Sequence, residues 1–391
     1  MSKINIPIEV EKIINDLQNE NFEAYIVGGC VRDNILGIEP KDWDIATNAK
    51  PEQIKKIFAK TVDTGLAHGT VTVILNKKHF EVTTYRIDGE YKDCRRPENV
   101  FFTDDLLQDL SRRDFTMNAI AFNQKYIDPF NGLQDIKNKL IRCVGNPSER
   151  FREDALRMMR AIRFANQLNF DLESKTFVAL KKNVELIKFV SIERVRDELV
   201  KLFFSDARKI YLLNESKILQ FVNHDFCKYL CDNLNEISKK LLRVKKSCDT
   251  IFSAILFKIK PKDAYLLMKF FRFDNKTCDS VRKILMYLNA KISNAYDIKK
   301  IICAIGYENF YKLLDIRNAL EIFDDAKDIS QNISSDCIFI KDLAVSGDDI
   351  KSLGFSGKEI GNVLKYLLDI VHKFPEKNSF DELISLAAMM K

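Results

Sequence analysis

Histidine is nearly missing from this chain: His68, His79, His224 and His372 are dispersed along 391 positions. His224-Asp225 is the only His-Asp dipeptide, so a metal phosphohydrolase centre has almost nothing to build on. Cysteine is present without being organised. The nine cysteines are scattered and odd in number, which excludes a disulfide framework and agrees with a reducing compartment. Cys227 and Cys231 stand four apart with no second pair nearby, and read as small buried residues rather than as half of a zinc site. No apolar run approaches the roughly 20 residues that span a bilayer, and the N-terminal MSKINIPIEVEKIINDL lacks the apolar stretch and cleavage site of a secretory signal. A membrane protein is therefore not expected, and cytoplasmic residence is. Fixed-period repeats and low-complexity linkers are also absent.

What is present is a globular composition, 46% hydrophobic and 30% charged, in a length that calls for two to four domains. The net charge of +6 is a mild hint of a polyanionic partner. Arginine placement says more. Of 62 basic residues 19 are Arg, and 13 of those lie between Arg86 and Arg196. A chain that otherwise prefers Lys uses planar, forked donors here, as gripping phosphates or base edges requires.

The first part of the chain mixes strand and helix signals. AYIVGG reads as a strand ending in two glycines, VRDNILG as a helix, DWDIAT as a short strand and PEQIKKIF as a helix with Pro51 at its start. HGTVTVIL and HFEVTTYR, with Asn-Lys-Lys between them, read as an antiparallel hairpin. From about Ser148 the periodicity becomes helical and stays so. An α+β protein is expected: a small mixed-sheet head over 1–147, then an all-α neck over 148–205, body over 206–330 and tail over 331–391. Breaks are plausible at the Lys-rich stretch 239–246 and at QNISSD, 331–336. The glycines of SGDDIKSLGFSGKEIG open helices, and such entries either bind phosphate through exposed amides or are simply turns.

In Asp42-Trp43-Asp44, strand geometry sends both carboxylates to one side and the indole to the other. Two hard oxygen ligands in one cavity suit two Mg²⁺ ions about 3.5–4 Å apart, which activate an attacking hydroxyl and stabilise a leaving pyrophosphate. Glu81, on the following hairpin, is a third acid able to face that cavity or solvent. Upstream, Gly28 and Gly29 let backbone approach a triphosphate, with Arg32 as a fork for its outer phosphates. Downstream, LSRRDFTMNAIAF supplies Arg112, Arg113, Asp114 and Asn118; a carboxylate beside Arg can hold ribose hydroxyls, and Asp114 can also cap a helix.

The segment ERFREDALRMMRAIRFA carries the sharpest expectation. On a continuous helix Asp154 and Arg157 are adjacent, with Arg150 one turn before and Arg160 and Arg163 sweeping round after. Cytosine and adenine both present an amine beside a ring-nitrogen acceptor, whereas uracil and guanine present a carbonyl beside a ring N–H. Asp154 accepting and Arg157 donating would select C and A without a template. An ordinary surface ion pair is the plainer alternative.

VGGCVRD, DWDIAT, HGTVTV, EVTTYR, EYKDCRRPENVFF, DLSRRDFTMNAIA, YIDPFNGLQDI and RFREDALRMMRAIRF together resemble the class II, bacterial-type CCA-adding enzymes of the polymerase-β-like nucleotidyltransferases. The likeness is close over about residues 22–204 and looser beyond. It implies a catalytic head, a base-selecting neck, and a body and tail that hold tRNA, with CTP and ATP as substrates and two Mg²⁺ as cofactor. Position by position it implies Asp42 and Asp44 as metal ligands, with Glu81 the third acid, and Gly28, Gly29 and Arg32 as the triphosphate grip. Arg113 and Asp114, with Asn118 alongside, match the ribose contacts; Asp154 and Arg157, followed by Arg160 and Arg163, match the base-reading segment. EYKDCRRPENVFF resembles the family's loop for the switch to A addition. Nothing in the sequence calls for an obligatory protein partner. A poly(A) polymerase, an A-only enzyme, a small-molecule transferase and a non-catalytic RNA-binding protein on the same head remain as alternatives.

Overall fold

The computed structural model describes residues 4–89, 99–322, 326–331, 333 and 336–391. The chain packs as two units, Met1–Leu234 and Asn235–Lys391, divided within the helix His224–Leu241.

The strands are β1 (Ala24–Val27), β2 (Asp44–Thr47), β3 (Thr61–Gly65), β4 (Thr70–Leu75), β5 (Lys78–Thr84), β6 (Arg86–Asp88), β7 (Val100–Phe102), β8 (Ala121–Asn123), β9 (Lys125–Ile127), β10 (Leu140–Ile141) and β11 (Asp171–Leu172). Seven of them form one mixed sheet in the order β3-β4-β5-β2-β1-β8-β9, with β2 and β5 parallel and the other pairings antiparallel. The β4–β5 hairpin turns on Asn76 and Lys77, both at positive φ, so a two-residue turn replaces the expected three and Lys78 joins the strand. β6 and β7 make a separate ribbon; the stretch between them, 90–98, with most of EYKDCRRPENVFF, lies outside the described residues.

Helices follow the same logic of one buried face. α1 (Ile8–Asn19) buries Val10, Ile13, Ile14 and Leu17. Next come α2 (Gly29–Ile35), α3 (Pro51–Ile57) with proline at its first turn, α4 (Leu106–Ser111) and α5 (Gly132–Lys137). Beneath the sheet Val27, Ala46, Tyr85, Leu110, Ala119 and Ala121 share a core with Val144. The helical part of this unit has α6 (Pro147–Glu153), α7 (Leu156–Leu168), α8 (Ser174–Asn183) and α9 (Ile192–Phe204).

Two expectations need correction. The part after Ser148 is not wholly helical, because β11 pairs in parallel with β10 and ties it back to the head. The helix over ERFREDALRMMRAIRFA is also not continuous. It breaks at Asp154, whose backbone is extended at φ −135°, ψ 103° and whose carboxylate accepts a hydrogen bond from Leu156 N, 3.1 Å. An Asp side chain that takes an amide near a helix start competes with continuing the preceding turn.

In the second unit all named elements are helical. The helix His224–Leu241 ends inside the Lys-rich stretch. In QNISSD, Asn332, Ser334 and Ser335 lie outside the described residues. Leu343, Ile350, Val363, Leu367, Val371 and Leu383 form a C-terminal core. Ser346 and Asp349 cap the helix Gly347–Ser352 reciprocally, so its own side chains occupy the amides that a phosphate would need. Among the described residues no helix is long and apolar enough to cross a membrane.

Candidate active site

Three chain segments meet at one end of the sheet. β1 ends at Val27, paired with Asp44 at the start of β2 and with Ala121 of β8, so Gly28 emerges between Asp44 and the turn that carries Asn118. Gly28 sits at φ +79°, ψ −135°, a conformation that suits glycine, and an added Cβ would stand 3.2 Å from Arg113 Nη1 and 3.7 Å from Asp44 Oδ2. Gly29 opens α2, two residues earlier than the VRDNILG pattern indicates.

These residues line a cavity of about 1030 Å³. Asp42, Asp44, Arg32, Arg113, Asp114 and Asn118 approach it from the head, and Asp154, Arg157, Arg160 and Arg163 from α7 and the break before it. Glu81 is not on its wall. It is nonetheless the register partner of Asp44 across the parallel β2–β5 pair, so the two side chains share a face. Asp42 precedes the strand rather than belonging to it, since β2 begins at Asp44. Burial pushes the Asp44 carboxyl up; Arg113 opposes this, and the charges of Glu81 and Asp42 reinforce it. A group of acids in this state is relieved by a cation.

Behind the acids lies a guanidinium–carboxylate network. Asp114 is buried and accepts from Phe115 N at 2.8 Å, Asn118 Nδ2 at 3.0 Å and Arg160 Nη2 at 2.6 Å. Burial alone would raise its carboxyl, but Arg160 and Asn118 outweigh that and hold it down at about 2. Asn118 Oδ1 accepts from Arg32 Nη1 at 2.7 Å, linking the segment that carries Asp114 to α2. Arg32, Arg160 and Arg163 also surround the Phe164 ring, with guanidinium carbons 4.9, 5.3 and 3.8 Å from its centroid. Arg163 pairs with buried Glu198 of α9 and donates to Gln167 at 2.8 Å.

Asp154 and Arg157 share the cavity but do not form the adjacent pair that a continuous helix would give. Asp154 is clasped by Arg194 of α9, Nη2 to Oδ2 at 2.8 Å and Nη1 to Oδ1 at 3.3 Å. Arg157 instead bonds Glu153 at 2.7 Å, Arg112 O at 2.7 Å and Arg150 O at 3.2 Å. Arg150 turns to Ser111 O at 3.1 Å. Asp154 stays tied to its own turn at the break, through Leu156 N and through its N–H to Arg150 O at 3.3 Å. Sequence reasoning missed Arg194, Glu153, Glu198 and buried Asp109, which takes Arg112 at 2.6 Å and Arg113 at 3.0 Å. Arg113 Nε is buried without a hydrogen-bond partner.

Three family models match the chain: the poly A polymerase head domain over residues 24–142, a probable RNA and SrmB-binding site of polymerase A over 169–230, and a putative tRNA nucleotidyltransferase domain 2 over 246–376. A CCA-adding enzyme of Ligilactobacillus salivarius is 40% identical over 338 residues, covering 84% of this chain and 79% of its own. One of Listeria monocytogenes serotype 4b is 39% identical over 377 residues, covering 92% and 91%. Among solved structures, the Bacillus stearothermophilus CCA-adding enzyme in complex with CTP superposes with a TM-score of 0.83 at 30% identity, over 98% of each chain. The Thermotoga maritima CCA-adding enzyme complexed with tRNA shares the fold, with a TM-score of 0.63 at 20% identity over 99% and 97%.

Proposed function

The chain belongs to the CCA-adding enzymes, and from that premise we propose that it adds C, C and A from CTP and ATP to the 3′ end of tRNA without a template. The observation that carries this reading is the single cavity bordered by the acids Asp42 and Asp44 on one side and by Asp154 and Arg157 on the other. The RNA 3′-hydroxyl attacks the α-phosphate of the nucleotide, and pyrophosphate leaves.

Asp42 and Asp44 would hold Mg²⁺, with Glu81 as the third acid beside them. Mg²⁺ is commonly bound by one or two carboxylates together with substrate phosphates. When bound, two such ions supply activation of the attacking hydroxyl and charge stabilisation of the leaving group. Gly28 and Gly29 give the triphosphate room at the start of α2, and Arg32 is fixed beside them through Asp33 at 2.7 Å. Arg113, with its unpartnered Nε, Asp114 and Asn118 form the ribose side. Asp154 accepts from the exocyclic amine of C or A, and Arg157 donates to the adjoining ring nitrogen. Arg160 and Arg163 hold the wall behind them. The body and tail over 206–391 hold tRNA, whose A-form acceptor stem offers shape, phosphates and 2′-hydroxyls rather than readable edges.

The test is extension of tRNA lacking its 3′ CCA, with Mg²⁺ and labelled CTP and ATP alone and together. Addition of three nucleotides and then arrest is expected. Indefinite A addition would make the chain a poly(A) polymerase, A addition only after a preformed CC end would make it an A-only enzyme, and no turnover would leave an RNA-binding protein.

A further inference from the structure

The charges on the cavity wall divide in two. Each of its seven arginines is in an ion pair with a carboxylate of the chain. Its two lysines, Lys41 and Lys201, are in none among the described residues. An arginine that is already paired and fixed suits recognition of a set geometry, a base edge or the oxygens of a triphosphate. An unpaired ammonium is left for a charge the substrate brings.

Lys201 lies on α9, which turns Val195, Leu199, Leu202 and Phe203 into the core. Its own side chain is exposed at the cavity, and Phe204, three residues on and therefore beside it, is half-buried on the same wall. Seven residues, two turns or about 10 Å along the axis, separate Lys201 from Arg194, which clasps Asp154. A cation and an aromatic face side by side are the elements of a sequence-tolerant handle on a single-stranded nucleotide, the ring stacking the base and the ammonium taking the phosphate.

We propose that Lys201 and Phe204 form the subsite for the 3′-terminal nucleotide of the RNA acceptor, two helical turns from the residue that clasps the base-reading Asp154. This rests on the functional reading above. It assigns to the C-terminal end of α9 the task of holding a growing end whose last base changes at each step, which a stacking and phosphate contact tolerates and a hydrogen-bonding one does not.

The experiment measures KM for tRNA lacking CCA and, separately, KM for CTP, at several salt concentrations, in Lys201→Ala, Lys201→Arg, Phe204→Leu and Phe204→Tyr. Lys201→Ala is expected to raise the RNA KM about five- to tenfold at low salt and to flatten the log–log salt dependence by about 0.7, the share of one single-strand phosphate contact. Lys201→Arg should restore both. Phe204→Leu should raise the RNA KM about tenfold without changing the salt slope, and Phe204→Tyr should recover it. The CTP KM should stay near wild type throughout. An unchanged RNA KM in both loss variants, or a rise in the CTP KM instead, overturns the subsite. Failure of the wild-type protein to extend this tRNA would sink the functional reading itself, whereas an active wild type with indifferent variants sinks the subsite alone. Lys201 is exposed, so its replacement leaves the fold intact and the result readable.

Discussion

Replacing Asp114 by asparagine keeps the shape of the side chain and removes its charge from beneath three cavity arginines. In the folded chain the Asp114 carboxyl is held at about 2 against an ordinary 3.8. That difference contributes about 2 kcal/mol of stability at neutral pH. Because the folded value is the lower one, the contribution is complete above about pH 5, is about half gone by pH 3, and vanishes below 2. The substitution would also leave the half-buried Arg160 facing a neutral amide, so the loss at pH 7 should reach about 2–3 kcal/mol. Trp43, the only tryptophan, lies in the head and reports its unfolding by fluorescence. Urea unfolding of wild type and Asp114→Asn, followed at Trp43 between pH 7 and pH 3, should give a stability gap that narrows by about 1 kcal/mol as acid protonates the wild-type carboxyl. A gap that stays constant with pH, or none at pH 7, would refute the argument that the buried Asp114 charge, paired with Arg160, is what fixes this wall.

Further outcomes follow from the same geometry. Gly28→Ala must take up a positive φ and push against Arg113 Nη1, 3.2 Å from the new Cβ; a stability loss of about 1–3 kcal/mol by urea unfolding and a raised CTP KM are expected. Arg194→Ala releases Asp154 and should lower discrimination against UTP about tenfold in competition assays, with little change in RNA KM. Asp42→Ala, at an exposed position before β2, should abolish transfer while tRNA binding and the Trp43 unfolding curve stay close to wild type.

Features set by their own sequence neighbourhood could be read from the sequence. Gly28 and Gly29 after an apolar strand, the β4–β5 hairpin and the change to helical period near Ser148 are all local signals, and the mixed-sheet head with its helical continuation followed from them. Partners supplied from afar could not be read. Arg194 reaches Asp154 across 40 positions, and Glu198 reaches Arg163 across 35, because α9 packs on α7; nothing near either residue announces the pairing. The break at Asp154 was hidden for a different reason. The segment has no proline or glycine, and its apolar period runs on unbroken, so only the capacity of an Asp side chain to take Leu156 N hinted that one helix would be two. β11 escaped notice because two residues carry no period at all.

Reading of the incoming base's edge is the role proposed for Asp154 and Arg157. Equilibrium affinities of the full chain for CTP, ATP, UTP and GTP, compared with those of Asp154→Asn, test it most directly. The wild-type chain is expected to bind CTP and ATP and to discriminate against the other two, and Asp154→Asn to lose this preference. Equal affinities for all four in the wild type, or a preference that survives in Asp154→Asn, would contradict it.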